Sequence, residues 1–310
     1  MNAVVNIALP VFAVIAAGLA AGRLRLMNAE DSQTLNKFVF RFAMPAALFG
    51  LTSTTPPPGA GDAAFAFSYA VASLIAIFGG YRLALLLFPV EKQEAGAHAF
   101  ASTVGNAVFL GLPIALTIET WARPYIVLML IEGVMIITIG ASLMAAREAN
   151  PSIAKRIVKF ARAPLGNPLV VASGSGFLFS AAGVAMPESI VSFLDILGRA
   201  AGPTALFSLG LFLGTNAYAN VGAVAGRAFS IAAVKMALLP AVALTAAYAL
   251  GVNDPAQLSA LALFTFMPSG VTSFVMASQY GFYKIETAAA ISLTTLISIV
   301  TVSGVLVIFA

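Results

Sequence analysis

The chain has no cysteine, a single histidine and few charges. The first absence excludes disulfides and thiolate metal sites, and a lone imidazole, His98, excludes a multi-histidine metal centre. Only 9% of the 310 residues are charged, against about a quarter in soluble domains. That is too little polar surface to cover a water-soluble globule, and 60% of the residues are hydrophobic. The solvent for most of this chain is therefore a bilayer. There is no Walker sequence, so ATP does not drive it directly. There is no aspartate-rich metal motif, and SGSG (173–176) lacks the flanking glycines and the base that a serine nucleophile needs. These absences argue against an enzyme, and no cofactor or metal is expected.

Long apolar runs are what the sequence does have. At about 20 residues per crossing, ten spans read out at 2–22, 32–53, 63–88, 97–118, 124–146, 165–184, 190–214, 228–250, 256–278 and 286–309. The stretch from Asn2 to Gly22 has the length of a full span with no positive residue before it, so it reads as a first membrane helix rather than a signal peptide. Turn-like breaks such as TTPPPGAGD (54–62) and VNDP (252–255) separate the runs. Strand-like alternation is weak, which leaves an all-α membrane protein rather than a β-barrel. Lys and Arg gather in the odd-numbered connections: Arg23 and Arg25, Lys92, the 147–164 stretch, Arg227 and Lys284. Those connections are expected on the cytoplasmic side, with both termini outside, in the cell's inner (plasma) membrane. The same distribution explains the net charge of +4 without nucleic acid.

Several polar residues are expected at the interfaces. Lys37, Arg41 and Lys235 can snorkel to the inner face. Trp121, Arg123 and Tyr125 fit an outer belt, and Tyr280, Tyr283 and Lys284 an inner one. His98 reads as an interfacial polar residue. The basic stretch REANPSIAKRIVKFARAP (147–164) reads chiefly as a topology anchor, with a short surface helix as the other reading.

RFAMPAALF (41–49) and RAAGPTALF (199–207) match at six of nine positions. The copies lie in spans 2 and 7, the second span of each half. Five spans apart, the second copy is flipped across the membrane. The pattern predicts two inverted five-helix repeats, as in many secondary transporters. Such folds bind substrate near the midplane, where matching helices are broken. Spans 4 and 9 carry the corresponding damage. Span 4 holds Gly105, Asn106, Gly111 and Pro113, and span 9 holds Pro268, Ser269, Gly270, Val271, Thr272 and Ser273. Proline removes a backbone donor and glycine leaves helical dihedrals cheaply. Half-helix N-termini meeting there would carry partial positive charge and free N–H groups, which suits an anion such as a carboxylate. Half-helix C-termini could instead hold a cation.

At these residues the sequence resembles the auxin efflux carrier family. The most specific stretches are GNAVFLGLP in span 4 and MPSGVTSFVMASQYG in span 9, supported by FVFRFAMPAALF in span 2. The resemblance covers the whole chain. It implies ten helices in two inverted repeats, with helices 4 and 9 crossing. It implies a scaffold of helices 1–2 (1–61) and 6–7 (165–220) that dimerises through helices 2 and 7. It also implies a transport domain of helices 3–5 (62–146) and 8–10 (221–310) that moves as an elevator, with 147–164 as the cytoplasmic linker. The substrate implied is a small organic anion, auxin-like or a dicarboxylate. Many plant members have proline where Gly105 stands here, and are less polar at Thr272 and Ser273. These departures fit a smaller, more polar acid. A sodium-coupled organic anion symporter of the bile-acid-carrier type is the alternative; it would want acid and amide ligands in span 9, and Gln279 lies far along it.

Glu132 is the one acid placed well inside a span, on the order of 12 Å deep at ~1.5 Å per residue. A carboxylate there is costly, and is paired, protonated or lines a cavity. It either binds a coupling proton or serves as a fixed structural partner. Lys235 becomes that partner only where spans 5 and 8 touch.

Overall fold

The computed structural model describes residues 2–54, 59–115, 118–145, 168–215 and 221–309. Each of the ten apolar runs contains helix, and among the described residues there is no strand beyond one isolated bridge. The basic stretch 147–164 lies outside the described residues. Among the described residues, five continuous helices are by themselves long and apolar enough to cross a membrane: Ala60–Leu87, Thr120–Met144, Glu188–Thr215, Val224–Ala249 and Lys284–Phe309. Their outer faces carry side chains such as Leu86, Phe229, Val300 and Ile308 that no protein covers. Lipid is the medium that suits them.

Local chemistry sets the helix ends. Asn28 and Asp31 form a reciprocal capping box, with Asn28 Oδ1 accepting from Glu30 N at 2.7 Å and Asp31 Oδ2 accepting from Asn28 N at 2.8 Å. Asp254 caps the helix that opens with Pro255. Among the described residues, four π-helical segments interrupt the ladders, at Val39–Ala43, Ala107–Gly111, Glu132–Ile136 and Val234–Leu238. Three of them end two residues before a proline: Pro45, Pro113 and Pro240. The widened turn takes up the clash and the missing N–H that each proline brings. The fourth has no proline and begins at Glu132.

Two groups of helices emerge from the packing. In one, Asn2–Arg23 lies along Ala201–Thr215, and Pro168–Ala181 and Glu188–Arg199 lie on Met44–Thr54. In the other, Ala63–Leu87 packs on Lys92–Ala101 and Leu239–Ala249, Glu119–Ile131 on Pro255–Thr265, and Val221–Ala233 on Lys284–Phe309. The first group is held by backbone-to-backbone contact. Gly18-x-x-x-Gly22 faces Gly210-x-x-x-Gly214, and a Cβ on Gly18, Gly210 or Gly214 would strike the carbonyl of Phe207, Ile15 or Leu19 respectively. Small residues spaced by four let membrane helices approach this closely. Gly176 does the same against span 2, where a Cβ would come within 2.8 Å of the Phe49 carbonyl.

The second group is clamped at both ends. At one, Arg123 grips Asp62 bidentately at 3.0 and 2.7 Å, and Gln257 reaches the same carboxylate at 3.4 Å. At the other, Arg227 pairs with Glu286 at 2.6 Å and lies 6.0 Å from the rings of Phe88 and Tyr283. His98 is fully buried beside it, with Nδ1 3.0 Å from the Tyr283 hydroxyl and Nε2 3.2 Å from Ser230 Oγ. Several interfacial expectations therefore change. His98, Trp121, Tyr125, Tyr283 and Lys235 are interior residues. For His98, Tyr125, Tyr283 and Lys235 the reason is that a polar tip with a protein partner no longer needs water.

The glycine contacts are open to a direct check. Gly210→Val should destabilise the purified protein by about 1–3 kcal/mol through overpacking, read as a lower Tm and loss of a monodisperse species. Gly304→Ala, where a Cβ meets nothing within 4 Å, should leave Tm unchanged or slightly raised.

Candidate functional site

Two helices stop inside the protein and restart. The helix Lys92–Ala101 gives way at residues 102–106 and resumes as Ala107–Gly111 and Leu112–Ala115. The helix Pro255–Thr265 gives way at 266–270 and resumes as Val271–Tyr280. The two breaks lie against each other in antiparallel register, with Gly105 facing Ser269. Asn106 N donates to the Pro268 carbonyl at 2.8 Å, and Gly270 N to the Val104 carbonyl at 3.0 Å. A Cβ on Gly270 would collide with the Gly105 carbonyl, so only glycine permits this approach.

Further polar groups of the crossing are met by buried side chains. Gly105 N donates to Glu132 Oε2 at 3.1 Å, and the Tyr69 hydroxyl donates to the same oxygen at 2.8 Å. Ser269 N donates to Thr294 Oγ1 at 3.1 Å, and Ser269 Oγ donates to the Ala101 carbonyl at 2.9 Å. Lys235 Nζ donates to the Thr265 carbonyl at 3.0 Å. Its ammonium also lies 3.6 Å from where a Cβ of Gly105 would be. Glu132 and Lys235 thus both approach Gly105.

One side-chain atom at the crossing lacks a partner. Asn106 Oδ1 is buried and makes no hydrogen bond among the described residues. It sits at a small chamber of about 30 Å³ whose walls include Met44, Leu48, Gly105, Asn106, Glu132 and Thr272. Val108 lines this chamber and also a second, mostly apolar cavity of about 610 Å³. The larger cavity lies between Val108 and Leu112 on one side and residues of spans 1, 2 and 7 on the other, including Pro10, Ala47, Thr54 and Pro203. Arg199 and Asp195 stand in its wall, ion-paired at 2.8 Å.

The residues singled out from the sequence separate into three places. Gly105, Asn106, Thr272 and Glu132 line the chamber. Pro268, Ser269 and Gly270 build the bridge. Gly111, Val271 and Ser273 lie in the half-helices and do not line the chamber, and Pro113 falls in the half-helix Leu112–Ala115. Gly111 makes room for Tyr125, whose hydroxyl donates to the Ala107 carbonyl at 3.1 Å, and Ser273 Oγ turns back to the Gly270 carbonyl at 2.7 Å. Tyr69, Thr294 and the inward role of Lys235 are not evident from the sequence. Tyr69 and Thr294 have no glycine, proline or charge among their near neighbours in the sequence to mark them. Lys235 is marked, but its charge reads equally well as a snorkelling anchor.

Known proteins resemble this chain in sequence along nearly its whole length. Residues 3–306 match the family described as "Membrane transport protein". A protein of Rhizobium meliloti (strain 1021) named "Putative malonate transporter" is 27% identical, over 99% of this chain and 96% of its own length. An uncharacterized transporter of Methanocaldococcus jannaschii is 25% identical over 96% of both chains. An uncharacterized transporter of Escherichia coli (strain K12) is 21% identical over 94% of this chain and 93% of its own. The chain belongs to the membrane transport protein family, that of the auxin efflux carriers, and it is a transporter rather than an enzyme.

Proposed function

We propose that the chain is a secondary carrier that moves a small organic anion, a short carboxylate in the first instance, across the inner membrane. The carrying observation is the crossing itself. Two half-helices, Ala107–Gly111 and Val271–Tyr280, begin at one chamber, beside an asparagine side chain with an unpartnered atom. Helix N-termini favour anions, and an amide can offer either its oxygen or its nitrogen to a ligand. While Glu132 is ionised its charge offsets that of Lys235, and the half-helix ends then favour an anion. A volume of about 30 Å³ holds roughly one water, so a carboxylate needs room from the larger cavity. The anion would sit at the junction beside Val108, with Gly105, Asn106 and Thr272 as its contacts. Pro268, Ser269 and Gly270 would hold the crossing together, and Gly111, Pro113, Val271 and Ser273 would shape the half-helices. The relative named for malonate fits a short diacid.

Ten crossings in two inverted repeats are the reading we adopt for the architecture, and pseudo-equivalent contacts support it. Gly18 against Phe207 and Gly176 against Phe49 are the same contact between spans 1 and 7 and between spans 6 and 2. Gly18 to Gly176 covers the same sequence interval as Phe49 to Phe207, the last residues of the doubled nonapeptide. Asp62–Arg123 joins spans 3 and 5, and Arg227–Glu286 joins spans 8 and 10. Gly105 donates to Glu132 in span 5, and its bridge partner Ser269 donates to Thr294 in span 10. Spans 1, 2, 6 and 7 would be the scaffold. The clamped group of spans 3–5 and 8–10 would move as one body, giving elevator-type alternating access. The apolar face of Ile190, Phe193 and Ile196 on span 7 is exposed, which suits a homodimer through spans 2 and 7.

Glu132 is assigned the coupling proton. An anion in the chamber shares its wall with this carboxylate, and the two negative charges repel. A proton on Glu132 removes the repulsion, so anion and proton bind with positive linkage.

In proteoliposomes, wild-type protein should take up a mono- or dicarboxylate, with malonate as first probe, faster under an inward proton gradient. Failure of every organic anion to move or bind would reject the carrier. Glu132→Gln, which stands in for the protonated acid, should lose the proton-gradient dependence while binding malonate at least as tightly as wild type. Unchanged gradient dependence in that variant would rule out Glu132 as the proton site.

A further inference from the structure

The two interrupted helices end differently. The C-terminal carbonyl of Lys92–Ala101 is met by a neutral hydroxyl, Ser269 Oγ, at 2.9 Å. The C-terminal carbonyl of Pro255–Thr265 is met by a full positive charge, Lys235 Nζ, at 3.0 Å. The last carbonyls of a helix are unpaired and carry partial negative charge. In carriers with broken helices such ends, with neighbouring unwound carbonyls, are where a sodium ion or proton is held. Here the position is taken by a side chain of the same protein.

Lys235 is built for that place. It is 1% exposed, so the ammonium has no bulk water to solvate it. Val234–Leu238 is π-helical ahead of Pro240, which turns the long side chain inward from span 8. Its tip lies beside the Thr265 carbonyl and close to Gly105, where the Phe264 carbonyl also approaches, 3.7 Å from the same would-be Cβ. Glu132 accepts from Gly105 N, with the Tyr69 hydroxyl on the same carboxylate oxygen. Among the described residues no three acidic or histidine side chains gather to bind a metal ion. Dehydrated sodium needs several oxygen ligands, and an ammonium needs only a few acceptors.

We propose that Lys235 is a tethered cation: its ammonium fills the cation position at the end of Pro255–Thr265, so the carrier moves its anion without sodium. The proposal rests on the carrier reading above and adds the identity of the second charge. It makes Lys235 a positioning residue for the crossing and the source of the positive field that an anion meets once Glu132 is protonated. It also separates this chain from the sodium-coupled alternative.

The test compares wild type with Lys235→Ala in sodium, in methylammonium and in the bulky N-methyl-D-glucamine cation at equal ionic strength. Removing the side chain leaves a hole of the right chemistry for a small cation. Wild-type Tm and malonate flux should be the same in all three. Lys235→Ala should lose flux roughly tenfold or more. Sodium or methylammonium, but not the bulky cation, should raise its Tm by about 2 °C or more. A lysine with only a packing role would give a destabilised variant whose Tm ignores the cation, and that result overturns the proposal. So does a wild type that needs sodium, or a Lys235→Ala variant with normal flux. Lys235→Gln, close in length and uncharged, is measured alongside in case the smaller variant does not fold, and normal flux in it also overturns the proposal. The sodium comparison on wild type stands whatever the variants do. The Tm measurements need no substrate, so a protein that moves no malonate would reject the carrier reading while still reporting on Lys235.

Discussion

Broken backbone in hydrocarbon has to find partners for its amides and carbonyls, since each unmet group costs several kcal/mol. Everything around the crossing follows from this. The two breaks first satisfy each other, through Asn106 to Pro268 and Gly270 to Val104. Further groups of the crossing are met by Glu132, Tyr69, Ser269, Thr294 and Lys235. Those partners come from spans 3, 5, 8, 9 and 10, so the demand of a few peptide groups ties most of one helix group together. Charged and hydroxylic residues in otherwise greasy helices have a structural reason to be there before any ligand is considered.

Much of this was legible because it is written in residues with few uses. Proline and glycine in spans 4 and 9 marked the breaks, and on the inverted-repeat reading the doubled nonapeptide marks the register between the halves. The π segments were legible in retrospect from Pro45, Pro113 and Pro240, each two residues beyond one. The glycine pairs 18/22 and 210/214 also stood in the open, but in a chain with 26 glycines the spacing alone does not choose them. Only the partner helix makes them a contact.

What sequence reasoning missed were the residues whose chemistry has two common outlets. Lysine near a helix end can snorkel or turn inward, and Lys235 turns inward because an orphan carbonyl awaits it. Tyrosine and tryptophan suit a membrane interface or a core, and Tyr125 is core because the Ala107 carbonyl takes its proton. His98 was placed at the surface by its position in the span, yet Tyr283 and Ser230 enclose it. In each case a tertiary partner decided, and tertiary partners are not encoded in local spacing.

The approach of both Glu132 and Lys235 to Gly105 has an electrical corollary. On the carrier reading, the empty crossing carries one charge of each sign and traverses the bilayer without doing work against the membrane voltage. Loaded with a monovalent acid and a proton, it remains neutral. A fully ionised diacid would add one uncompensated negative charge. The valence of the cargo, rather than the direction of the gradient, then determines whether transport is electrogenic.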